Sequence, residues 1–404
     1  MHDRYRRRRW TAAAGLLAAA MALTGCAGSA VDTSTPKPNA SDPLVVGYLV
    51  PQTGPYKASG TDLLNGFQLY LDTHGNRLGG RPAKLVVQDE ADGKQTAANA
   101  AKKLIEQDRA TILAGGATAE TTLSVQDLVA QKKIPFVGTG GRPSTLAADK
   151  LPWIWHTSWL SREVGAAIAE YVKTTIDGPV YVIGPDYQGG YDNIGGFVDA
   201  FKAAGGVVAN EGGKPTWTPW TPPVTDYVPY LTKIDPTKVK AVFTFYAGTP
   251  AVGFVQQYAK VLGGKVPLFA AGFLTDESIL EAEGAAADGI QTSLNYAADL
   301  DNPTNRSFST AFTKAYNASP RLLNVTGYDA AAVIDAAATA AGPGATPAQI
   351  NAAIGKLGQI DSPRGAWRFS KDHSPVQTYY LRKVGADGRG RANILVQPLT
   401  TLGN

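Results

Sequence analysis

From Leu44 onward, short apolar runs alternate with stretches in which apolar residues return every three or four positions. Residues 44–50 form a β-branched run of strand length, and Leu63, Leu64, Phe67, Tyr70 and Leu71 then share one helical face that ends at His74-Gly75-Asn76. Residues 83–88 predict a second strand, residues 95–107 a helix with Ala97, Ala101, Leu104 and Ile105 inward, and residues 111–114 a third strand. A helix over 119–131 and a strand over 134–137 repeat the cycle. Strands that alternate with helices imply right-handed crossovers and a parallel sheet covered on both faces.

The alternation begins again after Trp159. Strands are expected over 180–183, 239–245 and 266–271, with helices over 194–204, closed by Gly205-Gly206, and over 251–262. Residues 212–223, with Trp217, Trp220 and several prolines, read as a loop. Helices over 306–316, 326–341 and 347–357 and terminal strands complete the chain. The fold class is therefore α/β, with two doubly wound parallel sheets and hence two lobes.

Ahead of this body the pattern changes. Arg4 and Arg6 to Arg9 precede a short apolar run from Trp10 to Leu23, and Leu23-Thr24-Gly25-Cys26 follows at once. This is the form of a secretion signal ending in a lipobox, with residues 1–25 removed and Cys26 lipidated as the new N-terminus. The apolar run falls short of the roughly 20 residues that a spanning helix needs. Acyl chains each contribute about 0.8 kcal/mol per buried methylene, so two or three would hold the protein at a membrane surface outside the cytoplasm. The sequence around Arg8-Arg9 leaves the export route open. Residues 26–42, rich in Ser, Thr, Pro, Lys and Asn, read as a flexible linker.

Charge and cysteine use exclude several functions. Five of the 38 basic residues and one of the 34 acidic ones precede Cys26, which leaves a balance of 33 against 33. A near-neutral chain argues against nucleic acid as a partner. Cys26 is the only cysteine, so no internal disulfide forms. The four histidines are isolated, no Gly-x-Ser-x-Gly elbow or phosphate loop occurs, and no metal spacing is present. These absences point away from an enzyme and imply neither cofactor nor metal.

Several segments in order carry a family likeness. Val46-Gly47-Tyr48-Leu49-Val50-Pro51-Gln52-Thr53-Gly54-Pro55, Asn65-Gly66-Phe67-Gln68-Leu69, Leu78-Gly79-Gly80-Arg81-Pro82, Gln88-Asp89-Glu90, Lys133-Ile134-Pro135-Phe136-Val137, Gly327-Tyr328-Asp329 and Ser362-Pro363-Arg364-Gly365-Ala366-Trp367 together resemble the leucine/isoleucine/valine-binding family of periplasmic receptors. The resemblance implies a type I periplasmic-binding-protein fold, its two lobes joined by a three-stranded hinge. The crossings would fall near His156-Thr157-Ser158, Gln291-Thr292-Ser293 and Phe369-Ser370. One lobe would comprise residues 43–157 plus 292–369 and the other 158–291 plus 370–404.

Candidate ligand contacts follow from fold and resemblance together. In open α/β sheets, ligands lie beyond the carboxyl ends of the strands, where helix starts offer unpaired N–H groups suited to a carboxylate. The loops Gly115-Gly116-Ala117-Thr118-Ala119 and Gly138-Thr139-Gly140-Gly141 have that character, and an ordinary capped turn explains them equally well. The resemblance implies that Gly116, Ala117, Thr118, Thr139, Gly140 and Gly141 contact the ligand's carboxylate and amino group. It adds Tyr56 at the cleft mouth and Tyr187, Tyr191 and Tyr246 from the second lobe, although each is also a candidate for packing. Trp153, Trp155 and Trp159 crowd the first crossing.

Two departures from the family pattern bear on the ligand. Gly272-Phe273 stands where an acid usually pairs with an ammonium, and Arg142 replaces a small hydroxyl residue. Both shift the site toward an anion. Asp276 and Glu277 lie at an expected helix start, where capping is the simpler role. The expectation is a monomeric, lipid-anchored receptor of an ABC importer, engaging permease subunits and binding an amino acid or related carboxylate. An aromatic or other organic acid is the alternative ligand, and a sensing adaptor the alternative role.

Overall fold

The computed structural model describes residues 41–403 except 92 and 389, so the signal, Cys26 and nearly all of the linker lie outside the described residues. The first sheet is built from β1 (Leu44–Val50), β2 (Arg77–Leu78), β3 (Arg81–Asp89), β4 (Ile112–Gly115), β5 (Phe136–Gly138) and, past the two-residue β6 (Gly141–Arg142), β7 (Ile154–His156). Its order is β2-β3-β1-β4-β5-β7, parallel except for the β2–β3 hairpin. Helices α1 (Lys57–Thr73), α2 (Lys94–Glu106) and α3 (Ala119–Lys132) are the crossovers. The chain steps from β1 out to β3 and returns to β4 on the other side of β1, so the winding reverses between β1 and β4.

After β8 (Trp159–Leu160), which pairs with β6, helix α4 (Ser161–Thr175) leads into the second sheet. Its strands are β9 (Val180–Pro185), β10 (Thr216–Thr218), β11 (Ala241–Thr244), β12 (Leu268–Ala271), β13 (Gln291–Leu294), β14 (Arg368–Phe369), β15 (Pro375–Ala386) and β16 (Arg391–Leu402). The order β10-β9-β11-β12-β13-β15 reverses between β9 and β11, as the first sheet does between β1 and β4. Helices α5 (Gln188–Ala203), α6 (Val228–Leu231), α7 (Thr249–Leu262) and α8 (Glu277–Glu283) belong to this half, whereas α9 (Pro303–Tyr316), α10 (Leu322–Ala341) and α11 (Pro347–Ile354) follow β13. α10 returns to pack on α1.

Close helix crossings rest on glycine. A Cβ on Gly66 of α1 would lie 1.9 Å from the Asn324 carbonyl oxygen of α10, and one on Gly165 of α4 would lie 2.0 Å from that of Asn193 on α5. β1, β4, β9, β11 and β12 are apolar runs buried on both faces, as parallel strands require, whereas β15 alternates buried and half-buried residues.

The chain passes between the sheets three times, and the crossings are tied at one atom. The Ser158 carbonyl accepts from Asn295 Nδ2 at 3.2 Å, Gln377 Nε2 at 2.8 Å and Arg364 Nη1 at 3.0 Å. Asn295 and Gln377 also bond to each other at 2.8 Å. Arg364 is buried and faces Asp329 at 3.2 Å; burial lifts the Asp329 carboxyl to about 6 against the lowering pull of that guanidinium. The second crossing falls later than the sequence indicates, because residues 292–294 pair with β12 and β15 inside the second sheet.

Three further differences are local. The 212–223 loop contains β10, an edge strand of two threonines and Trp217 that pairs with β9. α5 starts six residues before the expected 194, since Gly189 and Gly190 fit the helix–strand contact there: a Cβ on Gly190 would lie 2.0 Å from the Pro185 carbonyl oxygen. α4 stands out only in the structure, its buried face formed by Val164, Ile168 and Val172 among small residues.

Candidate ligand-binding site

A cavity opens where the two reversal points face each other, the position that winding alone assigns to a ligand. The loops after β1 and β4 supply Tyr56, Ala117 and Thr118, and those after β9 and β11 supply Tyr187, Phe245 and Ala247. The cavity has about 510 Å³ of empty volume, including solvent at its mouth. Its remaining lining is Ser59, Ala119, Gly141, Trp159, Ser161, Gly189, Asn193, Phe273 and Leu323. None of these residues is Asp, Glu, Lys, Arg or His.

Helix starts take the place of charged side chains. Tyr56 and Ser59 open α1, Thr118 and Ala119 open α3, Ser161 is the first residue of α4, and Tyr187 and Gly189 open α5. First-turn N–H groups have no acceptor within their own helix, and each helix carries about half a positive charge at that end. Thr118 caps α3, its hydroxyl accepting from the Thr121 N–H at 3.4 Å. These helix ends bring partial positive charge to the site, with Glu120 of α3 and Glu163 of α4 standing in the same first turns.

Aromatic rings form its walls. Trp159 lies 4.9 Å from Phe273, Phe273 meets Phe245 edge-on at 6.0 Å, and Phe245 lies 6.3 Å from Tyr187. Half-buried Trp220 stacks on Tyr187 at 4.4 Å and reaches Tyr56 at 6.4 Å, adding a further ring beside the cavity wall. The Tyr56 and Tyr187 hydroxyls are 3.4 Å apart and join the halves, and burial raises the Tyr187 phenol well above its ordinary range. A second bridge runs from Ser144, whose N–H and hydroxyl donate to the Asp192 carboxylate of α5. Burial raises both Asp192 and Glu120, and Glu120 accepts from the Gln188 backbone across the same gap.

Of the residues singled out from sequence, Tyr56, Ala117, Thr118, Gly141, Tyr187 and Phe273 come together around the cavity. Gly116, Thr139 and Gly140 sit behind it and hold the two loops together. The Gly116 N–H donates to Leu49, the Thr139 N–H donates to Gly115 at 2.9 Å, and a Cβ on Gly140 would lie 2.3 Å from the Ala117 carbonyl oxygen. The Ala117 N–H is also taken, by buried Glu90 at 2.7 Å, whose carboxyl burial pushes up to about 7. Available amides are therefore those of the α3 start rather than of the whole loop.

Arg142, Tyr191 and Tyr246 do not line the cavity. Gly141 and Arg142 are consecutive in β6, so with Gly141 toward the cavity the Arg142 side chain leaves on the opposite face. There it is buried amid the charges of Asp372, Glu163 and Asp192, and its guanidinium joins burial in lowering His156 to about 3. Tyr246 is displaced by the same alternation: Phe245 lines the cavity while Tyr246 bonds to the Thr218 hydroxyl at 2.9 Å within the second-half core. Tyr191 is exposed, with its hydroxyl donated to Asp186.

Asp276 caps α8, accepting from the Ser278 N–H at 2.9 Å, and Glu277 faces Arg382 at 3.5 Å. Trp155 packs the hinge, stacked on His373 at 3.5 Å. Ser161, Asn193 and Phe245 escaped the sequence reading, and Trp159 was placed there at the first crossing rather than at the ligand. For Ser161 the available signal was its place at the start of a helix that follows a strand, whereas Asn193 stands in the second turn of α5, ahead of the expected helix start at 194.

A family profile described as periplasmic binding protein matches residues 43–389. The chain belongs to that family. Leu/Ile/Val-binding protein homolog 6 of Brucella suis biovar 1 is 29% identical over 352 residues, covering 85% of this chain and 88% of its own. Two solved solute-binding proteins of ABC transporters from R. palustris superpose closely. One, in complex with benzoate, is 29% identical with a TM-score of 0.79, over 90% of this chain and 98% of the other. The second, in complex with 4-hydroxybenzoate, is 26% identical with a TM-score of 0.82, over 89% and 98%. The protein has the type I periplasmic-binding-protein fold and is a solute-binding protein of the ABC-transporter type, a family that works outside the cytoplasm.

Proposed function

We propose that this periplasmic binding protein is the lipid-anchored receptor of an ABC importer and binds an aromatic carboxylate between its lobes. The observation that carries the reading is a cavity walled by Trp159, Tyr187, Phe245 and Phe273, opened upon by helix starts, with no acid in its lining. A carboxylate gains from the unpaired amides of α3 and the α4 start, about 0.3–1 kcal/mol per helix end and more when partly buried. An aromatic ring gains from its neighbours about 0.5–1.5 kcal/mol per ring pair beyond area burial. An α-amino acid would bring an ammonium with no carboxylate to meet it, and an unpaired buried charge is costly. This favours the aromatic acid over the amino acid, in keeping with the benzoate and 4-hydroxybenzoate held by two relatives.

The two lobes, with the second crossing just past Leu294, close on the ligand about the Ser158 knot. Permease subunits then read the closed form, so the ligand acts by its differential affinity for that form. Thermal shift against benzoate, hydroxybenzoates, leucine, isoleucine and aliphatic acids tests the reading, because a ligand of the folded form raises the melting temperature. Aromatic acids should raise it. Stabilisation by leucine or isoleucine with no response to any aromatic acid would refute the proposal.

A further inference from the structure

Asn193 stands in α5 with only 2% of its surface exposed, and it lines the cavity. Its Nδ2 donates to the Gly189 carbonyl oxygen one turn back at 2.9 Å. That carbonyl can only accept, so the bond fixes which end of the amide is nitrogen and turns Oδ1 away from the helix. Oδ1 is fully buried and has no hydrogen-bond partner among the described residues. The helix is held in place behind it, because Gly165 lets α4 approach to within contact of the Asn193 backbone carbonyl. The acceptor is therefore fixed in position and unmet.

Asn193 lines the cavity, and an unmet acceptor on it calls for a donor from whatever fills the cavity. A carboxylate has none to give, and a bare benzene ring has none either. The α3 start lies across the cleft from α5, so a molecule whose carboxylate meets Thr118 and Ala119 presents its far end toward the second half. A ring hydroxyl there supplies the missing donor without adding a charge that the lining lacks. We infer that Asn193 reads a hydroxyl on the ligand's ring, so that the site prefers hydroxylated aromatic acids to the unsubstituted acid. The inference rests on the aromatic-carboxylate reading above.

The test is calorimetric titration of benzoate and the three monohydroxybenzoates into the wild-type protein, Asn193→Leu and Asn193→Ala. At least one hydroxy isomer should bind the wild type about tenfold or more tightly than benzoate, since sites built to bond a hydroxyl discriminate strongly against its absence. In both variants that ratio should fall to within about threefold, the alanine variant guarding against a leucine that the helix packing rejects. Equal wild-type affinity for benzoate and all three isomers would overturn the inference and leave the aromatic reading standing, as would an unchanged ratio in folded variants. Failure of all four acids to bind would remove both.

Discussion

Ser144→Ala should loosen closure of the lobes without altering any residue of the cavity lining. Ser144 follows β6 on the first half, and Asp192, on α5 of the second, accepts its N–H at 3.0 Å and its hydroxyl, with Gln188 Nε2 as a third donor at 3.0 Å. The substitution removes the hydroxyl and keeps the amide. Hydrogen bonds to charged groups contribute about 1.5–3 kcal/mol, and water meets part of Asp192 once the lobes separate, so the loss on closing is about 1–2 kcal/mol. A closed form less populated by that amount weakens apparent affinity by about five- to thirtyfold. Calorimetry with the best-bound acid gives the affinity, and small-angle scattering of the free and loaded protein gives the compaction. Affinity within about twofold of wild type, with the same compaction, would show that the Ser144–Asp192 bridge plays no part in closure.

Three other predictions concern stability, loop packing and anchoring. Glu283 is buried with neither carboxyl oxygen bonded, and burial raises it from 4.5 to about 9. The folded form therefore keeps a proton that the unfolded chain releases above about pH 4.5, and stability falls as pH rises toward 9, by about 3 kcal/mol between pH 5 and 7.5. Glu90 and Glu163, both raised to about 7 by burial, act in the same direction. Urea unfolding of Glu283→Gln should show a correspondingly flatter pH dependence; a slope equal to wild type would absolve Glu283. Gly140→Ala places a methyl 2.3 Å from the Ala117 carbonyl oxygen and should cost about 1–3 kcal/mol of stability and at least about tenfold in affinity. Normal values for both would show that the loops yield freely. Cys26→Ser should free the protein from the membrane fraction, and retention there would point to an uncleaved signal as the anchor.

The sequence by itself determined the alternation of strand and helix, because period two and period 3.6 are written in the spacing of apolar residues. It also determined the capping role of Asp276, which depends only on its neighbours, whereas the loops proposed for the ligand came from the family resemblance and the reversal of winding from the tertiary strand order. What it left open was phase. Gly141 and Arg142, or Phe245 and Tyr246, are interchangeable as alternating positions, and only the partners of β6 and the end of β11 decide which of each pair faces the cleft. The same holds for positions on helices: Ser161 and Asn193 acquire meaning when α4 and α5 are docked across Gly165 and brought opposite α3. Local periodicity fixes which residues share a face, but the face that meets a ligand depends on contacts between segments distant in the chain.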